Sequence, residues 1–197
     1  MTSPAPLMVA ILIAAPAFAD ETRQLDAHEH GVGELNMAID GTTVAIELHA
    51  PGADIVGFEY AAKSAEDRAA IETAIATLSS PLTLFQMPAA AECTVTQAAV
   101  ALESEEAHDE HGKGDHGHGH SHDHDHGHEA AEAEHTEFNA QYVLDCARPS
   151  ALTSITFAYF DTFENAREIE LQIVSASGAQ AFEVDRDAPV LTLEGLF

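Results

Sequence analysis

The chain has 197 residues, 46% of them apolar, which is enough for one compact domain and too few for two large ones. Seven Lys and Arg stand against 34 Asp and Glu, a formal charge of -27, and that imbalance argues against nucleic acid or an anionic membrane surface as a partner. Cations are the natural counterpart, although scattered carboxylates on a folded surface also serve solubility alone.

The first predicted element is an export signal. Leu7 to Ala15 is an apolar run of signal-peptide length, and Ala17 and Ala19 make a small-residue cleavage site before Asp20. The run is too short to span a bilayer, and no later apolar segment approaches spanning length, so the mature chain is expected to have no membrane span. One departure is the leading MTSPAP, which has no Lys or Arg. Residues 1–19 are thus expected to be removed, leaving 20–197 as a single exported domain, periplasmic in a Gram-negative source.

From Gly33 to Ala50, apolar and polar residues alternate on both sides of Asp40-Gly41, which predicts a hairpin with Val44, Ile46 and Leu48 on its core face. Ala61 to Ser79 is the one convincing helix. Ser64 is its N-cap, Asp67 sits at capping-box distance, and Ala70, Ile71, Ala74, Ile75 and Leu78 form one stripe before Pro81. Cys93 to Leu102 and Glu137 to Cys146 read as strands, the second alternating cleanly. If they pair antiparallel with Cys93 opposite Cys146, Val95 faces Leu144, Ala99 faces Ala140 and Ala101 faces Phe138. Opposed cysteines in an exported chain favour a disulfide, which would pin the base of a long hairpin. Ser154 to Phe160, Glu168 to Ser175 and Ala181 to Asp185 are further strands, with Val190 to Leu193 a fourth. The expected fold is α+β, a mostly antiparallel sheet with one main helix packed on one face.

The insertion from Glu103 to His135 interrupts this pattern. It holds ten of the thirteen histidines and eleven acidic residues, with no Ile, Leu, Val or aromatic side chain. Such a segment cannot offset the entropy of ordering and is predicted to be a long disordered loop at the tip of the hairpin. Within it, GDHGHGHSHDHDHGHE places His116, His118, His120, His122, His124, His126 and His128 at every second position. Imidazole is the commonest side-chain ligand for Zn, Cu, Ni and Co, and interspersed Asp adds many interchangeable ligand sets. A flexible tract loses freedom at each binding event, so it should act as an exchangeable collector of moderate affinity. The bland alternative is a solvated linker that binds metal incidentally.

Three histidines precede the insertion. His28 and His30 are two apart, so in an extended segment both project from one side. His49 lies on the polar face at the end of the second hairpin strand, which the hairpin returns toward the segment before the first. These three can converge on one ion, with a carboxylate or water as fourth ligand; the plain alternative for each is a surface histidine.

With these residues in place, the sequence resembles the ZrgA-type periplasmic zinc-uptake accessory proteins. His28-Glu29-His30-Gly31 resembles their early HxHG motif, and Asp40-Gly41, Ile46-Glu47-Leu48 and Pro51 through Val56-Gly57-Phe58-Glu59 follow in the family's order. A His-rich insertion between two cysteines, then His135, Glu137, Phe138, Tyr142 and Cys146, completes the likeness; Tyr60 stands where the family usually has a histidine. The resemblance implies an exported protein that binds Zn(II), or another divalent transition metal, and assists a high-affinity uptake system. A periplasmic metal-binding receptor or a zinc ABC transporter is the implied partner, and His135 and Glu137 join the candidate metal ligands.

Two other classes compete. No G-x-S-x-G, H-E-x-x-H or Gly-rich phosphate loop is present, so the chain is not expected to be an enzyme; a zinc hydrolase built on His28, His30 and His49 with an open water position is the contrasting case. Metal buffering or resistance is the third reading, separated by whether expression rises under metal starvation or metal excess.

Overall fold

The computed structural model describes residues 29–104 and 135–193. Its first two strands, β1 (Val32–Asp40) and β2 (Thr43–Pro51), form the expected hairpin, in register from Glu34 opposite His49 to Asp40 opposite Thr43. The turn is Gly41-Thr42, one residue later than Asp40-Gly41. Gly41 takes the left-handed φ of 57°, which a two-residue hairpin turn requires and glycine supplies without steric cost.

A short helix, α1 (Gly52–Val56), continues directly from β2 and stops at Gly57, whose φ is 83°. The main helix, α2 (Ala65–Leu78), opens on the expected capping box: the Asp67 amide donates to Ser64 Oγ at 2.9 Å, and the Ser64 amide donates to Asp67 Oδ2 at 3.0 Å. Ala74 and Leu78 are buried and Ile71 and Ile75 pack beside them, so the stripe at helical spacing is the face that meets the sheet.

The remaining elements, apart from 3-10 turns at Ala89–Ala91 and Pro149–Ala151, are α3 (Pro81–Leu84), β3 (Phe85–Gln86), β4 (Cys93–Ser104), β5 (Thr136–Cys146), β6 (Ser154–Phe157), α4 (Tyr159–Thr162), β7 (Glu168–Ser175), β8 (Gly178–Asp185) and β9 (Val190–Thr192). Six strands form one sheet in the order β4-β5-β2-β1-β7-β8, antiparallel throughout except for the parallel pair β1 and β7; β3, β6 and β9 form a small second sheet. The large sheet buries one face only. Leu35 and Met37 of β1, Ile46 and Leu48 of β2, Phe138, Ala140, Tyr142 and Leu144 of β5, and Ile169 and Leu171 of β7 all belong to the core. Tyr142 donates its hydroxyl to the Leu78 carbonyl at 2.8 Å, which ties α2 to that face and satisfies a buried polar group.

The Cys93–Cys146 disulfide is present, between residues directly opposite in register. Beyond Val95 the pairing departs from expectation. A bulge between Val95 and Gln97 shifts β4 by one residue, so Val100 faces Ala140 and Leu102 faces Phe138, not Ala99 and Ala101. One extra residue exchanges the two faces of a strand, and here it turns the larger apolar side chains inward. β4 also runs to Ser104, paired with Thr136, two residues into the segment expected to be loop. A third difference is that the strand expected to reach Phe160 ends at Phe157. Tyr159 and Phe160 are adjacent and both buried, which a strand's alternation forbids and the helical turn of α4 permits.

The expected signal segment 1–19, His28, and the tract from His116 to His128 lie outside the described residues. Among the described residues no helix is long and apolar enough to cross a membrane.

Candidate metal site

The hairpins bring several ends together. The start of β1, the end of β2, the end of β4 and the starts of β5 and β7 meet at one end of the large sheet, as the pairs Pro51 with Glu137, Ser104 with Thr136 and Val32 with Glu168 show. The histidine insertion leaves and rejoins the fold at that same end.

There, Glu59 stands between two imidazoles. His30 Nε2–H and His135 Nδ1–H both donate to Glu59 Oε2, each at 3.0 Å. The histidine side chains are 63% and 52% exposed and the carboxylate only 14%, so a recessed anion carries two rings that solvent ions can reach. Burial by itself would raise the Glu59 carboxyl, but the hydrogen bonds from His135 and His30 outweigh it and hold the group below the usual carboxylate range.

Local structure explains the geometry. Glu59 follows the left-handed Gly57 that ends α1, which turns the chain back over the sheet end. His30 precedes Gly31, whose carbonyl accepts the Arg167 and Glu168 amides at 2.8 and 2.9 Å. His135 is the residue before β5, and two positions on, Glu137 lies on the same side of that strand.

His49 engages different carboxylates. Its Nδ1 lies 3.3 Å from Glu137 Oε2 and its Nε2 3.7 Å from Glu47 Oε1, and Gln141 Nε2 donates to the same Glu47 oxygen at 3.3 Å. Of the candidate ligands, His30 is thus joined to His135 through Glu59, and His49 to Glu137. Spacing along the chain groups His28 and His30 with His49 and gives Glu59 no mark. Glu59 was visible only as part of the Val56-Gly57-Phe58-Glu59 run; one carboxylate among 34 acidic residues has no distinguishing mark until the chain folds.

As the side chains stand, no group of three or more His, Cys, Asp or Glu among the described residues is arranged to hold a metal ion. Both rings point their N–H at one oxygen, in hydrogen-bonded rather than ligating positions. Two imidazoles and a carboxylate are nonetheless the donor types that bind Zn(II).

A model of the ZrgA family, described as zinc uptake proteins, matches residues 27–193. No curated protein matches the chain.

Proposed function

The chain belongs to the ZrgA family of zinc uptake proteins, and from that premise we propose that it is a periplasmic Zn(II)-capturing protein that passes its cargo to a metal-binding receptor or a zinc ABC transporter. The observation that carries the proposal is the position of Glu59 between His30 and His135, at the sheet end where the histidine insertion is rooted. The tract collects the cation at high local concentration, and the folded cluster, with His28 in sequence reach, retains it. His49 and Glu137 form a neighbouring pair that can complete or receive the coordination.

Two rings already gathered on a folded scaffold lose less freedom on binding than a tract ordered each time. At least two affinity classes are therefore expected when the full chain is titrated with Zn(II) against a chromophoric chelator. His30→Ala combined with His135→Ala should remove the tight class and leave the weaker, multiple class from His116 to His128. A tight class unchanged by that double substitution would sink the folded site and leave the tract as the sole binding element.

A further inference from the structure

Among the described residues Asp54 is the only buried charged side chain, 2% exposed. It lies in the first turn of α1, and both of its oxygens accept the Gly31 amide, at 2.8 and 3.0 Å. A buried carboxylate is costly unless strongly paired, and here the Gly31 amide donates to both oxygens while the nearby His30 and Arg167 favour the charged form. Its contacts fix its place in the fold.

That place lies between the two halves of the candidate site. Gly31 directly follows His30, and its φ of 94° is a conformation that side-chain-bearing residues rarely adopt. Its amide is held by Asp54 and its carbonyl by the Arg167 and Glu168 amides, so the peptide is fixed on both sides. On the other side, α1 leads through Gly57 to Glu59, and Asn165 Nδ2 donates to the Ala53 carbonyl at 2.9 Å, fastening α1 to the segment before β7. One carboxylate thus spans from the backbone beside His30 to the helix that delivers Glu59.

Resting on the zinc-capture reading, we propose that Asp54 is a positioning residue for the folded site: it sets His30 against Glu59 before the cation arrives. It touches neither ring and acts through the Gly31 peptide.

The test uses the full chain and Zn(II), with the dissociation constant of the tight class and the thermal midpoint of the metal-free protein read separately. Asp54→Ala should weaken the tight class about tenfold to hundredfold, the range found when groups supporting metal ligands are removed, and the isosteric Asp54→Asn, which keeps an oxygen for the Gly31 amide, should recover most of that loss. The weaker class should not move. Leu144→Ala, in the core at the opposite end of β5, is the control: it should lower the thermal midpoint and leave the tight dissociation constant alone. A constant within twofold of wild type in Asp54→Ala would overturn the proposal, as would an Asp54→Asn no tighter than Asp54→Ala, or failure of both to fold, which would make Asp54 a folding residue only. Failure of the underlying reading looks different, because His30→Ala would then leave the tight class intact.

Discussion

Glu59 concentrates the residue-scale chemistry. Its folded carboxyl is held below the ordinary range, so its contacts stabilise the fold above the unfolded value of about 4.3 and lose that contribution as the pH falls through the lower folded value. Glu59→Gln removes the charge while leaving one oxygen that both rings can share, as they share Oε2 in the wild type. Because both histidines are more than half exposed, the cost in stability at neutral pH should stay below about 1 kcal/mol, and the melting curves of variant and wild type should merge in acid. Zn(II) affinity of the tight class should fall about tenfold or more; an unchanged affinity would exclude the carboxylate from the site. His30 was legible in the sequence because histidine is scarce outside the tract and its spacing is informative. Glu59 and Asp54 were not, because a carboxylate in so acidic a chain is defined by what folds around it.

At the scale of elements, local signals survived, and of the long-range ones the Cys93–Cys146 pairing survived while the register of β4 beyond Val95 did not. The α2 capping box, its stripe and the alternation of β5 are properties of a few consecutive residues, and all appear in the structure. The β4 bulge is set by which side chains meet β5, and the turn into α4 by the burial of Tyr159 beside Phe160; neither is written in a period. The disulfide joins residues 53 apart, and closing a loop of that length in the unfolded chain is worth about 4 kcal/mol in the chain-entropy model. Cys93→Ser with Cys146→Ser should lower unfolding stability by an amount of that order in denaturant titrations. A shift below about 1 kcal/mol would mean that the loop is already restrained when unfolded.

For the whole molecule, the acidity is unevenly placed. Across the uncovered sheet face Glu34 lies opposite Glu170, and Glu170 opposite Glu183; like charges directly opposed are destabilising. Burial first, then Glu183, Asp185 and Glu170, raise the nearby Glu168 carboxyl. A raised carboxyl has the opposite sign to Glu59: its ionisation opposes folding, and the penalty is relieved as the pH falls into its range. Glu170→Gln should therefore stabilise the protein at neutral pH by a few tenths of a kcal/mol, within the ~0.2–1 kcal/mol of a cross-strand pair, with the gain shrinking in acid or high salt. Deleting 105–134 should leave the cooperative thermal transition in place, because Glu103 and Glu137 remain paired in register and Ser104, His135 and Thr136 can serve as a three-residue turn between them. The Zn(II) stoichiometry should fall sharply; loss of the transition would show that the insertion carries core contacts. The antiparallel sheet and its main helix were readable as a pattern, whereas the β1–β7 pairing and the small β3-β6-β9 sheet join segments too far apart for any local pattern to announce.

That parallel pairing dictates an order of assembly. The backbone beside His30 is held by Asp54 on one side and by the amides of Arg167 and Glu168 on the other, so half of its support is missing until β7 arrives beside β1, and contacts so distant along the chain are slow to form. A chain arrested or cleaved before β7 would keep every imidazole of the insertion and still lack the seat for His30. Tight cation retention would then belong only to finished molecules, and the number of tight sites per chain would measure how much of a preparation is intact.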